Sequence, residues 1–218
     1  MELNKYIEHT LLKQDATESE VKKLLDEAKE YNFLGVCVNP CNVKFASEYL
    51  KGTGIKVVTV IGFPLGQATT EIKILETIDA VKNGADEIDM VINDGKLKDG
   101  KYDYIVDEIS KIKFACQDKP LKVIIETDLL SKEEIKKACE LCVQAKADFV
   151  KTSTGFVKNG VGAKVEDVKL MYETVKDFGL QVKASGGIRD KETALKMIEA
   201  GAVRLGTSSG VKICEGQS

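Results

Sequence analysis

The chain is poor in metal ligands and in arginine. It has one histidine, His9, among 218 residues. Of 32 basic residues only Arg189 and Arg204 are arginines, and the rest are lysines. With one imidazole available, a histidine-based metal centre is excluded. Six cysteines are present, but only Cys139 and Cys142 form a CxxC pair, with no second pair to complete a zinc site. That pair sits in a helical pattern with Ile135, Ala138 and Val143, which marks it as part of a core-facing stripe. Reduced cysteines fit this better than disulfides.

Other absences narrow the class further. The net charge is −3, so no basic field is available to hold nucleic acid. No apolar run approaches the roughly 18 to 20 residues needed to span a membrane. Met1-Glu2-Leu3-Asn4-Lys5 has no apolar signal region, and a cytoplasmic location is expected by default. No linker or low-complexity segment divides residues 1–218, so one domain is expected.

Short β-type runs alternate with amphipathic helical stretches. The strands are expected at Tyr6–Thr10, Gly35–Asn39, Lys56–Gly62, Glu87–Asn93, Lys122–Thr127, Asp148–Ser153, Gln181–Ser185 and Ala202–Gly206. Helices are expected near Glu18–Tyr31, Val43–Leu50, Thr69–Asn83, Tyr102–Cys116, Lys132–Lys146, Val165–Phe178 and Lys191–Ala200, with a short one after Ser208. Ser131-Lys132-Glu133-Glu134 has the form of a capping box. Gly35, Gly84, Gly179 and Gly201 are placed to end helices. Strict alternation of eight strands with eight helices predicts an α/β fold, a (β/α)8 TIM barrel. An open doubly wound sheet is the rival, but Gly35-Val36-Cys37-Val38-Asn39-Pro40 lacks its glycine fingerprint.

The chemistry lies in the strand parity. In Glu87–Asn93, Ile88, Met90 and Ile92 form one apolar face, which belongs under the helices. Asp89 then points to the barrel axis. The same parity sends Val150 and Val182 outward, and Lys151 and Lys183 inward. The parity of Glu126 is ambiguous. Most lysines of such a chain are solvated surface groups, and Asp89 could be no more than half of an ion pair, but a buried ion pair is a weak route to stability. A chemical purpose is the better reading.

Burial disfavours a charged amine. Two ammonium groups about 4 Å apart, at an effective dielectric near 20, repel by about 4 kcal/mol. That is enough to press Lys151 toward its neutral, nucleophilic form. A neutral lysine can form a Schiff base with a carbonyl and serve carbon–carbon bond chemistry. No metal or cofactor is required for that. Two glycine-rich segments, Ser185-Gly186-Gly187-Ile188-Arg189 and Gly206-Thr207-Ser208-Ser209-Gly210, follow the last two strands. Loops at those positions of a barrel often hold phosphate.

Glu8-His9-Thr10-Leu11-Leu12, Gly35–Pro40, Gly62-Phe63-Pro64-Leu65-Gly66, Glu87–Asn93, Val123–Thr127, Lys151–Phe156, Lys183–Arg189 and Leu205–Gly210 occur in order over nearly the whole chain. Together they resemble the deoxyribose-phosphate aldolase family, and Lys-Thr-Ser-Thr-Gly-Phe with Lys-Ala-Ser-Gly-Gly-Ile-Arg is a specific pair. The resemblance implies reversible cleavage of 2-deoxy-D-ribose 5-phosphate to glyceraldehyde 3-phosphate and acetaldehyde. It implies a Schiff base on Lys151, with Lys183 lowering its pKa and sharing a proton relay with Asp89. It places Gly155, Gly186, Gly187, Gly206, Ser208 and Ser209 at the phosphate, Thr10 at the substrate, and Cys37 near the site, where electrophiles could modify it. A homodimer is implied as well.

The departures are equally specific. Glu8 stands where the family commonly has aspartate, which makes direct contact with substrate doubtful. The loop 157–164 is slightly longer than usual. Asp94 and Asp128 occupy positions expected to be uncharged. Glu215-Gly216-Gln217-Ser218 carries no tyrosine of the kind that assists proton transfer in some relatives. Three alternatives stay open here: a transaldolase-like Schiff-base barrel, a phosphate-binding isomerase using the lysines as clamps, and a non-catalytic sugar-phosphate sensor.

Overall fold

The computed structural model describes residues 1–216. Eight strands close into one parallel barrel in sequence order, β1 to β8. The first half runs β1 Ile7–Leu11, α1 Glu18–Glu30, β2 Gly35–Val38, α2 Val43–Tyr49, β3 Lys56–Ile61, α3 Thr70–Lys82 and β4 Glu87–Val91. Then come α4 Asp94–Lys98, α5 Tyr102–Ala115, β5 Leu121–Ile124, α6 Lys132–Gln144, β6 Phe149–Lys151, α7 Val165–Val175, β7 Gln181–Ser185, α8 Lys191–Glu199, β8 Ala202–Thr207 and α9 Gly210–Glu215. The expected (β/α)8 barrel is present. Among the described residues no helix is long and apolar enough to cross a membrane.

Local signals explain the helix boundaries. Ser131 accepts from Glu134 N while the Glu134 side chain accepts from Ser131 N, so the expected capping box opens α6. Thr17 and Glu20 make a second one at α1, unforeseen from the sequence. Gly84, Gly179 and Gly201 take positive φ after their helices, but Gly35 does not. Gly35 opens β2 instead, and Asn32 carries the left-handed turn after α1. The short helix α4 is an addition to the expected eight; Asn93 starts it by accepting from Lys96 N.

Parity decides where the core lies. Ile7, Val36, Ile88, Met90, Val123, Val150, Val182 and Leu205 point out and pack beneath the helices in the main hydrophobic core. Each buried aliphatic side chain contributes roughly 1.5–3 kcal/mol. Inside the barrel Leu12, Cys37, Val58 and Val60 form a small separate apolar cluster with Phe63 packed on it. Cys139 and Cys142 are buried in the outer core, as the stripe predicts. Helix α3 inverts the usual polarity. Thr70, Lys73, Thr77 and Ala80 face in, while Ile72, Leu75 and Ile78 face solvent. Lys73 is accommodated because its Nζ donates to Glu108 and to the carbonyl of Val91, at 2.9 and 2.8 Å.

Candidate active site

The register of the sheet brings one carboxylate and three lysines to one level of the barrel. Asp89 lies beside Lys122 across β4 and β5, and Lys151 lies beside Lys183 across β6 and β7. Asp89 Oδ2 accepts from both Lys151 Nζ and Lys183 Nζ at 2.7 Å. The two nitrogens therefore lie within twice that distance of each other. Asp89 Oδ1 accepts from Lys122 Nζ at 3.0 Å. Glu8 completes the cluster from β1: its Oε2 accepts from Lys183 Nζ, and its Oε1 is 3.5 Å from Lys122 Nζ. The extra methylene of Glu8 is thus used to reach a lysine inside the barrel. Below, Glu87 pairs with Lys122 and lies 3.9 Å from Arg204.

Lys122, Lys151, Lys183 and Arg204 face Glu8, Glu87 and Asp89. Four cations against three anions leave one positive charge in excess, and loss of a proton from one lysine removes it. The amine that yields is set by its surroundings. Burial pushes Lys151 below the ordinary lysine value; Asp89 opposes this and the charge of Lys183 adds to it. Burial acts on Lys183 in the same sense, but the carboxylates of Asp89 and Glu8 outweigh it and hold that amine above its usual value. Lys122 is likewise held up against burial by Asp89 and Glu8. Burial would raise Asp89, yet the surrounding lysines hold it well below the usual carboxylate range. The sequence suggested repulsion from Lys183 as the main cause; burial is larger.

Access separates the lysines further. A cavity of about 760 Å³ opens at the carboxyl ends of the strands, where barrel enzymes place their sites. Lys151 lines it, along with Thr10, Gly155, Phe156, Gly186, Gly187, Arg189, Gly206 and Ser208. Lys183 and Asp89 are wholly enclosed beneath, with no exposed surface. Gly206 has a second use in this arrangement: a Cβ there would come within 3.1 Å of Lys183 Cε, so glycine leaves room for the lysine stem.

The remaining candidates fall in several places. Thr10 Oγ1 donates to its neighbour Glu8 O at the cavity wall. Ser209 is not at that wall; its N donates to Thr207 Oγ1 at the start of α9. Cys37 is buried inside the barrel with its thiol pushed up to about 11 by burial, which works against a reactive thiolate. Glu126 lies past the end of β5 in a left-handed conformation and accepts from Thr154 N at 3.2 Å and from the Thr154 hydroxyl. Gln217 and Ser218 lie outside the described residues. Reasoning from sequence missed Lys122, Glu8 as an ion-pair partner, Glu87 and Arg204. For Lys122 the signal was present, since it shares inward parity with Ile124 and faces Asp89 in register.

A closed parallel barrel with a buried amine at the floor of a mouth ringed by glycine loops defines a (β/α)8-barrel aldolase. Comparison with known proteins agrees. Residues 3–216 match the model of the DeoC/LacD family aldolases. The chain is 59% identical to deoxyribose-phosphate aldolase of Enterococcus faecalis, covering 99% of this chain and 97% of that one. It is 57% identical to the enzyme of that name from Finegoldia magna, over 99% and 100%. Among solved structures, the tetrameric deoxyribose phosphate aldolase of Aeropyrum pernix superposes with a TM-score of 0.88 at 34% identity, covering 98% and 89%. The chain belongs to the DeoC/LacD family of aldolases, a carbon–carbon lyase rather than an isomerase or a sensor.

Proposed function

We propose that this aldolase cleaves 2-deoxy-D-ribose 5-phosphate reversibly to glyceraldehyde 3-phosphate and acetaldehyde, with Lys151 as the Schiff-base lysine. One observation carries the reading: of the lysines buried around Asp89, only Lys151 borders the cavity, and its surroundings favour the free amine. Neutral Lys151 attacks the C1 aldehyde of the open-chain sugar, and loss of water gives the iminium. The C2–C3 bond then breaks. Its electron pair moves toward the iminium nitrogen to form an enamine, and the C3 hydroxyl gives up its proton as C3 becomes the aldehyde of glyceraldehyde 3-phosphate. Protonation of the enamine at C2 and hydrolysis release acetaldehyde and restore the amine.

Asp89, held ionised, accepts a hydrogen bond from the amine before attack and passes protons through water. Lys183 stays charged beneath and works against protonation of Lys151. Gly155, Gly186, Gly187, Gly206 and Ser208 provide the phosphate wall around the rim, with Ser209 behind it at the start of α9 and Thr10 on the sugar side. No step draws on a metal or cofactor. The exposed apolar side of α3 is the natural seat for a second copy in a homodimer, since Ile72, Leu75 and Ile78 are each about half exposed or more.

Borohydride reduction in the presence of acetaldehyde tests the central claim. The expected product carries an ethyl group on the Lys151 peptide, and Lys151→Ala is folded, unlabelled and inactive. An unlabelled Lys151, or a label on a different lysine, overturns the assignment.

A further inference from the structure

Asp128, an unexpected charge in the sequence, lies in the short turn Thr127–Leu129 after β5. Its side chain is only 8% exposed. One oxygen, Oδ2, accepts from Gly162 N at 2.7 Å, and Oδ1 is 3.4 Å from Lys164 Nζ. It therefore grips the far end of the loop that follows β6. Glu126, two residues earlier, grips the near end through Thr154. The loop between these holds a turn closed by Gly160 N donating to Val157 O at 2.9 Å.

What this grip controls is the seating of that loop on the next. Ala163 N donates to Gly186 O at 3.1 Å. Gly162, at φ +78°, passes so close to Gly186 that a Cβ would come within 2.4 Å of its carbonyl carbon. A Cβ on Gly187, at φ +74°, would come within 2.3 Å of Val161 O. The first contact demands glycine at 162 and the second at 187. Gly186 and Gly187 are the cavity wall assigned to the phosphate.

We propose that Asp128 is a positioning residue for phosphate recognition: by holding the Gly162 amide, it presses the 157–162 turn onto Gly186-Gly187 and fixes the backbone wall that receives the phosphate. The proposal rests on the functional reading above. Asp128 touches no substrate, and its effect passes through Gly162 to the glycine wall.

Steady-state kinetics on 2-deoxyribose 5-phosphate and on unphosphorylated 2-deoxyribose provide the test. For Asp128→Ala the KM for the phosphorylated sugar rises roughly tenfold, from loss of one charge-assisted hydrogen bond. The ratio of kcat/KM, phosphorylated over unphosphorylated, falls by a similar factor. Asp128→Asn keeps an acceptor for Gly162 N and recovers most of that ratio. Gly162→Ala, which approaches the same contact from the other side, lowers the ratio as well and serves if Asp128→Ala fails to fold. Inhibition of 2-deoxyribose cleavage by inorganic phosphate weakens in parallel. A ratio equal to that of the wild type in both Asp128→Ala and Gly162→Ala overturns the proposal, as does an equal loss on both sugars. An inactive or unlabelled wild type would instead sink the functional reading itself.

Discussion

Replacing Lys183 by methionine keeps the length of the side chain and removes its charge. Two effects follow, and they can be measured separately. The first is on stability. Lys183 is fully enclosed and donates to both Glu8 and Asp89. Removing one member of a buried ion-pair cluster leaves a carboxylate short of a partner, at a cost of roughly 3–5 kcal/mol. Glu8 retains Lys122 at 3.5 Å and Arg204 at 3.6 Å, so the lower end, about 3 kcal/mol, is expected. For a chain of this size that is a fall of roughly 6 to 12 °C in Tm. The second effect is on the reaction. With Lys183 gone, three cations face three anions, and its share of the pressure on Lys151 to shed a proton is removed while that of burial stays. On the proposed reaction Lys151 acts as the free amine, so a rise in its pKa lowers the rate at neutral pH, and the rate recovers as the pH is raised. The acid limb of the kcat/KM profile for Lys183→Met is expected to move to higher pH, read by coupled detection of the triose phosphate. An acid limb that stays in place would refute the argument that the charge of Lys183 adds to burial in lowering Lys151, whatever happens to Tm.

Two further outcomes are expected. Asp94 is buried with one oxygen unpartnered, and burial, then the charge of Glu126, raises it from 3.8 to about 7, against Lys98 and Lys73. A raised folded-state pKa means that stability is full below the unfolded value and is lost as pH rises toward 7. Asp94→Asn removes that loss, so urea titration finds the variant and wild type alike near pH 4 and the variant more stable at pH 8, by at most about 4 kcal/mol; an equal gap at both pH values counts against it. On the solvent side of α3, Leu75→Glu places a charge in the exposed apolar stripe. Light scattering is expected to find a smaller species than the wild type, and an unchanged mass would remove that face from the self-association reading.

Much of the barrel was legible because parallel strands buried on both faces carry a parity of two that a single charged residue betrays. Ile88 and Met90 pointing out force Asp89 in, and no tertiary information is needed for that step. The same rule, extended to Lys122, would have found the third lysine, but a lysine at the start of a strand looks like a solvated one. For Glu8 the sequence spoke only against contact with substrate; its pairing with Lys183 and Lys122 could not be read without knowing the depth of those lysines. Helix α4 was missed because its five residues include Gly95, and its start depends on the Asn93 side chain. Lys73 and Glu108 escaped notice because α3 turns its polar residues to the core, a reversal of ordinary periodicity that only the neighbouring helix α5 explains.

The interlocked side chains below Lys151 form the floor of the cavity that opens at the carboxyl ends of the strands. Phe149 and Arg204 stack beneath it, with ring and guanidinium 5.4 Å apart. On the proposed reaction, the two-carbon fragment is bound at the bottom and the phosphorylated one nearer the rim, so the triose must depart before the acetaldehyde has a way out. In the direction of synthesis the same cavity makes the small aldehyde the first to enter.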